Sequence, residues 1–416
     1  MRKLLLVTTS IFLAFIQIQA QELAQAIPWE EALQSDRKDT ITHLDLERRE
    51  LSQIPKSILQ FKNLEVLDIS DNQIARLPSY LKKLKKLRML DWGSNYVDNV
   101  PDSLKDAKYP KFDPSELKRK TEEEVRRIMQ KRMEKLRNVS QHIPKPDPLN
   151  FKSPRLKNLK TLYLTSNFLR ENPVVLRKFK GLKQVFLQFN LIHSFHPSLK
   201  KLKRLEEISF TDNRITDISA FPLAKLKNLK VLVFAKNQIQ ELPENIHQSQ
   251  SLNKLNLASN QISELPEEVD GLRHLESVLF YNNKLKKIPS WIYELDKLVE
   301  LDVAYNTINE VDPAIEKMKN LKLLYLSYNK LLSIPSSIGN LPKLRQLYLH
   351  HNYLTQVPES ISKLQQLSTL HLNNNELDAF PEVVLNLKNL EDLNIANNQI
   401  PEFAIGLREL PRLRLL

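Results

Sequence analysis

The chain repeats itself every 23 residues, and that period leaves room for very few folds. Aligned on Leu252-Asn253-Lys254-Leu255-Asn256-Leu257-Ala258-Ser259-Asn260-Gln261-Ile262, it reads L-x-x-L-x-L-x-x-N-x-L, followed by x-x-L-P-x-x-I/L/V-x-x-L. Units begin at Ile41, Leu64 and Leu87. After an interruption they resume at Leu159, Leu182, Leu205, Leu229, Leu252, Leu275, Leu298, Leu321, Leu344, Leu367 and Leu390, with a stub at Leu413. One step, from Leu205, is 24 residues. A unit this short cannot bury its own leucines. Coils must stack so that each covers the next, and the core then grows along an axis.

Within a unit, strand side chains alternate between the two faces of a sheet. Leu255 and Leu257 then point inward, while Lys254, Asn256 and Ala258 point outward. An asparagine stands at the ninth position of thirteen units, from Asn72 to Asn398; the first unit has Arg49 there. A buried amide at that turn can satisfy backbone groups of adjacent coils. A terminal coil has less need of one.

Leu265-Pro266-Glu267-Glu268-Val269 and Ile334-Pro335-Ser336-Ser337-Ile338 show the second half of the unit. With the asparagine spacing, they give the chain its resemblance to the typical-subtype, 23-residue leucine-rich repeat family, including Ras-binding scaffold proteins and secreted bacterial members. The resemblance covers roughly three quarters of the sequence. It implies an α/β fold: a right-handed leucine-rich repeat solenoid, curved, with a parallel β-sheet on its concave face and one helical insertion. It does not name a ligand, because members bind unrelated partners.

The chain has no cysteine, which removes disulfides, thiolate nucleophiles and Cys-based zinc sites from consideration. The first 20 residues read as a signal peptide. Arg2 and Lys3 precede an apolar run from Leu4 to Ile16, and Ile18-Gln19-Ala20 ends in a small residue. As a helix the run would measure roughly 20 Å, short of a ~30 Å hydrocarbon core. Cleavage after Ala20 would deliver a secreted, periplasmic or cell-envelope protein. Secretion without cysteine points to a bacterium. Residues 21–40 read as an N-terminal helical cap, since Pro28-Trp29-Glu30-Glu31 puts proline and acids at a helix start. The solenoid is expected over 41–416, interrupted by a helical insertion at 105–155, where the spacing is 49 residues longer than the period. Asp113-Pro114-Ser115-Glu116 opens that helix. Its apolar stripe either packs on the solenoid or, with its basic faces, docks on a partner or membrane surface.

No phosphate loop, nucleophile elbow or H-E-x-x-H motif is present, so neither catalysis nor a cofactor is expected. The outward strand positions carry the information instead. Asp45, Asp68 and Asp91 are equivalent residues of neighbouring strands; they either attract a basic ligand or cation, or serve the family's usual structural role. From the ninth unit onward the same face gathers Tyr281, Tyr305, Tyr325, Tyr328, Tyr348, His350, His351 and His371. Tyrosine offers large contact area at low entropic cost, which suits a binding surface. These eight residues are the candidate partner-binding site, and as outward side chains they are expected to contribute little to stability. If the histidines meet an acidic group, binding should strengthen as pH falls through about 6.5. A zinc site at His350, His351 and His371 is a weaker reading, since adjacent histidines seldom converge.

Net charge is +13, or +11 without Arg2 and Lys3, yet the outward face is acidic. It holds Asp45, Glu47, Asp68, Asp71, Asp91, Glu207, Asp212, Glu300, Asp302 and Asp392 against Arg48, Lys236 and Lys254. Nucleic acid would need cations there, so it is not an expected partner. A protein or peptide ligand is, with the chain a monomer. The alternative is an envelope-associated structural protein, touching anionic lipid or polysaccharide at the membrane surface through its basic back and inserted helix.

Overall fold

The computed structural model describes residues 25–95 and 153–415, apart from 268, 403–405 and 408–409. The expected signal peptide, and nearly all of the expected insertion at 105–155, lie outside the described residues. By internal packing the chain forms two compact units, Met1–Leu205 and Glu206–Leu416.

The first unit contains β1 (Ile27–Pro28), β2 (His43–Asp45), β3 (Val66–Asp68), β4 (Met89–Asp91), β5 (Thr161–Tyr163) and β6 (Gln184–Phe186), paired in parallel in that order. β4 and β5 pair directly, Leu90 against Leu162, although they flank the interruption. A short helix, α1 (Trp29–Gln34), lies over the first coil. Its Ala32 is buried, Trp29 meets Phe61 edge-on at 5.9 Å, and Glu30 pairs with Arg49. The sheet edge at β2 is covered by β1, a strand that the sequence pattern does not reveal.

The second unit contains β7 (Glu207–Ser209), β8 (Val231–Val233), β9 (Lys254–Asn256), β10 (Ser277–Leu279), β11 (Glu300–Asp302), β12 (Leu323–Tyr325), β13 (Gln346–Tyr348), β14 (Thr369–His371) and β15 (Asp392–Asn394). These too pair in parallel, in chain order and in register. The terminal stub adds a single bridge, Asp392 to Leu415.

Each coil is an α/β leucine-rich repeat. The L-P-x-x-I segment returns mostly as a 3-10 turn. Pro335, for example, is extended (φ −70°, ψ 148°), and the turn Ser336–Asn340 follows, burying Ile338. Proline suits this entry because its ring fixes φ and the first turn needs no N–H from it.

The asparagines do what the spacing implies. Asn306 Nδ2 donates to Phe280 O (3.0 Å) in the preceding coil and to Val303 O (2.9 Å) in its own, while its Oδ1 accepts from Leu285 N at 2.9 Å. With a longer bond to Ala304 O (3.2 Å), one buried amide thus satisfies four backbone groups in two coils. Asn306→Ala should therefore cost roughly 2–4 kcal/mol, because groups buried without partners carry the full desolvation penalty. Urea denaturation measures it beside Lys363→Ala, an exposed control expected within about 0.5 kcal/mol. Equal effects would mean that the amides are dispensable.

Candidate ligand-binding face

The turn after each strand controls what the outward face displays. The residue before the repeat asparagine has positive φ in every described repeat, between 48° and 58°, from Arg48 and Asp71 through Tyr305, Tyr328 and His351 to Asn397. Asn, Asp and His enter this left-handed region most easily. They or the small serine hold the position in nine repeats, at Asp71, Ser94, Ser166, Asp212, Ser259, Asn282, His351, Asn374 and Asn397. Bulky side chains there are costly, by roughly 1–2 kcal/mol. Yet Tyr305 and Tyr328 take it in two successive coils, as Phe189 does once in the first unit.

Their rings form one row. Tyr281 meets Tyr305 edge-on at 5.0 Å, Tyr305 stacks on Tyr328 at 3.8 Å, and Tyr328 stacks on His351 at 4.0 Å. A second row lies on the strands: Tyr325 stacks on Tyr348 at 4.7 Å, and Tyr348 meets His371 edge-on at 4.9 Å. His371 Nε2 lies 3.2 Å from Asp392 Oδ1. His350 joins the rows, 5.5 Å from Tyr328 and 6.3 Å from Tyr348. All eight predicted residues therefore fall in one patch of the second unit.

They do not share one environment, and this corrects the expectation of a uniformly solvent-facing stripe. Tyr281, Tyr305, Tyr328, His351 and His371 are half-buried. Tyr325, Tyr348 and His350 are only 2, 4 and 6% exposed. The reason is spacing. Neighbouring parallel strands bring equivalent rings close enough to stack, so the rings bury one another although no core lies above them. Burial pushes the Tyr348 phenol up to about 12 and raises that of Tyr325 as well.

The expected pH response also fails for His350. Burial first, then the neighbouring His371 and His351, push its imidazole down to about 3, so it stays neutral through pH 6.5. Burial also lowers His351. Two polar atoms in this patch are buried without a hydrogen-bond partner, His350 Nδ1 and Ser327 Oγ. Ser327 was not singled out by sequence; its only signal was a small residue between Tyr281 and His350 at the same repeat position.

The three aspartates of the first unit sit in register, Asp45 beside Asp68 beside Asp91. Each carboxylate accepts the backbone N–H two residues on, from Glu47 (2.6 Å), Ser70 (2.8 Å) and Gly93 (2.8 Å). Asp302 and Asn256 make the same bond, to Ala304 and Ala258, both at 3.0 Å. This is a local turn device. Burial, then the charge of Asp91, holds Asp68 well above the usual carboxylate range. Among the described residues, ligating atoms of Asp45, Glu47 and Asp68 lie within 4.8 Å of one another; the three histidines do not form such a group. Tyr163 and Phe186, the smaller aromatic pair in the first unit, stack at 4.8 Å and are buried.

Comparison with known proteins follows from this architecture. Models of the leucine-rich repeat region match residues 193–315 and 309–416, and a leucine-rich repeat model matches 39–97. The chain belongs to the leucine-rich repeat family. No curated protein matches it. Among solved structures it is similar to a leucine-rich repeat protein of Leptospira interrogans, with 25% identity, TM-score 0.69, and 94% of this chain and 95% of that one covered. It also resembles an internalin of Listeria monocytogenes, with 24% identity, TM-score 0.57 and coverage of 83% and 84%. A chain of the Toll–Spatzle complex of Drosophila aligns with 21% identity and TM-score 0.66, covering 92% of this chain and 47% of that one. Among the described residues, no helix is long and apolar enough to cross a membrane.

Two measurements test the burial assignments. Tyr325→Ala should destabilise by about 3 kcal/mol or more, as core aromatic truncations do; a cost below about 0.5 kcal/mol would restore the free-surface reading. Burial raises Asp302 to about 8, so the folded chain keeps a proton that the unfolded chain loses near pH 4. Stability from this group therefore falls as pH rises between about 4 and about 8. Asp302→Asn keeps the turn bond, as Asn256 shows, and should raise Tm at pH 8 but not at pH 4. An equal shift at both would mean that Asp302 ionises normally.

Proposed function

We propose that this chain is a secreted, non-enzymatic protein-binding module that recognises a protein or peptide on its concave face, at the tyrosine and histidine rows of the second unit. One observation carries the reading: Tyr305 and Tyr328, in successive coils, occupy backbone positions with φ of 55° and 53°, where Asn or Asp would cost less. Backbone strain of this kind collects at functional sites. Folding gives no return on these rings beyond their own stacking, worth about 0.5–1.5 kcal/mol per pair. A partner does, since half-exposed rigid rings give large contact area with little entropy to lose. The Toll chain, of similar fold, was solved in complex with Spatzle, which fits a protein ligand on such a scaffold.

The buried Tyr325, Tyr348 and His350 then act as the floor that holds the outer row, and Tyr281, Tyr305, Tyr328 and His351 make contact. Secretion rests on the N-terminal signal pattern. The test is affinity capture from culture medium and host extracts with the chain lacking residues 1–20, followed by mass spectrometry. Tyr305→Asn/Tyr328→Asn should keep Tm within a few degrees, because asparagine suits the left-handed turn, and should weaken the captured partner at least thirtyfold, the mark of lost hot-spot residues. If that variant binds like wild type while Asp45→Asn/Asp68→Asn fails, the site lies in the first unit.

A further inference from the structure

The four outward columns of the repeats from Leu275 to Asn397 contain no lysine or arginine, in a chain with 62 of them. They contain Glu300, Asp302 and Asp392 among the rings. Lys254, two strands before Glu300 in the same column, is the nearest basic residue of these columns. Burial pushes the His350 imidazole down to about 3 and lowers that of His351. In a protein of net charge +13, these columns are kept free of lysine and arginine.

Resting on the binding reading above, we infer that the partner of this face is a cationic peptide segment, whose arginine or lysine side chains lie on the Tyr281–Tyr305–Tyr328 row, with the carboxylate of Glu300 on the same face. Two features fit a cation together. Ring faces attract guanidinium and ammonium groups through their quadrupole. Glu300 is half-buried, and one carboxylate oxygen accepts from Ser277 Oγ at 2.6 Å, which fixes the group on this face. Arginine, with five N–H donors and a flat face, matches rings and carboxylate at once. An acidic peptide would meet Glu300 unfavourably. The other acidic cluster, at Asp45, Glu47 and Asp68 of the first unit, lacks such a ring row, and the Asp45/Asp68 variant separates the two.

The experiment uses fluorescein-labelled octa-arginine, octa-lysine, octa-glutamate and octa-glutamine peptides, titrated by anisotropy at 150 mM salt. Octa-arginine should bind best, octa-lysine less well, and the other two not measurably. Glu300→Gln and Tyr305→Asn/Tyr328→Asn should each weaken octa-arginine at least tenfold, and Asp45→Asn/Asp68→Asn less than twofold. Octa-glutamate binding as tightly as octa-arginine, or octa-arginine binding lost only in the Asp45/Asp68 variant, would overturn the inference. The captured natural partner separates the two readings. If it needs Tyr305 and Tyr328 but is neither weakened by Glu300→Gln nor competed by octa-arginine, the face binds a partner of other chemistry and only the cationic assignment fails. If it does not need the tyrosines, both fail.

Discussion

A single side-chain amide holds successive coils together. Within each unit a repeat asparagine ties its own turn to a carbonyl of the coil before it and to an N–H of that coil, as Asn329 does with Val303 O and Ile308 N, both at 3.0 Å. Leucines supply the free energy of stacking, but they are non-directional. The amide fixes register. Because it must turn inward immediately after the strand, the residue before it is driven to positive φ in coil after coil. The geometry of the outward face is thus a consequence of how the core closes.

That constraint gives the tyrosines their meaning. A polar residue at the left-handed position would be neutral for folding, whereas a tyrosine there is a cost carried in the free protein. Stacking at 3.8 Å recovers part of it and leaves a flat, preorganised row. Beneath it, Tyr325 and Tyr348 have changed role from surface to support. The buried carboxyl of Asp302 likewise serves the turn, accepting from Ala304 N.

The fold was almost entirely legible in the sequence, because the period, the leucines and the asparagine each have one physical solution. The patch was legible as a set of positions: all eight residues were found by counting along the repeat. Their burial was not, because it depends on rings of adjacent strands meeting one another, and no single unit shows that. The same mutual burial keeps His350 from answering a fall in pH through 6.5. The strand at Ile27–Pro28 was missed for a different reason. It is two residues long, contains proline, and exists only because β2 offers an unpaired edge.

The central claim is that the outer ring row, and no other aromatic group of the chain, meets the partner. Tyrosine ring signals from a 13C-labelled sample, titrated with octa-arginine or the captured partner, test it directly. Tyr281, Tyr305 and Tyr328 should shift together and saturate at one affinity, while Tyr80 and Tyr163 in the first unit stay in place. Shifts confined to Tyr80 or Tyr163, with the second-unit row silent at saturation, would contradict the account.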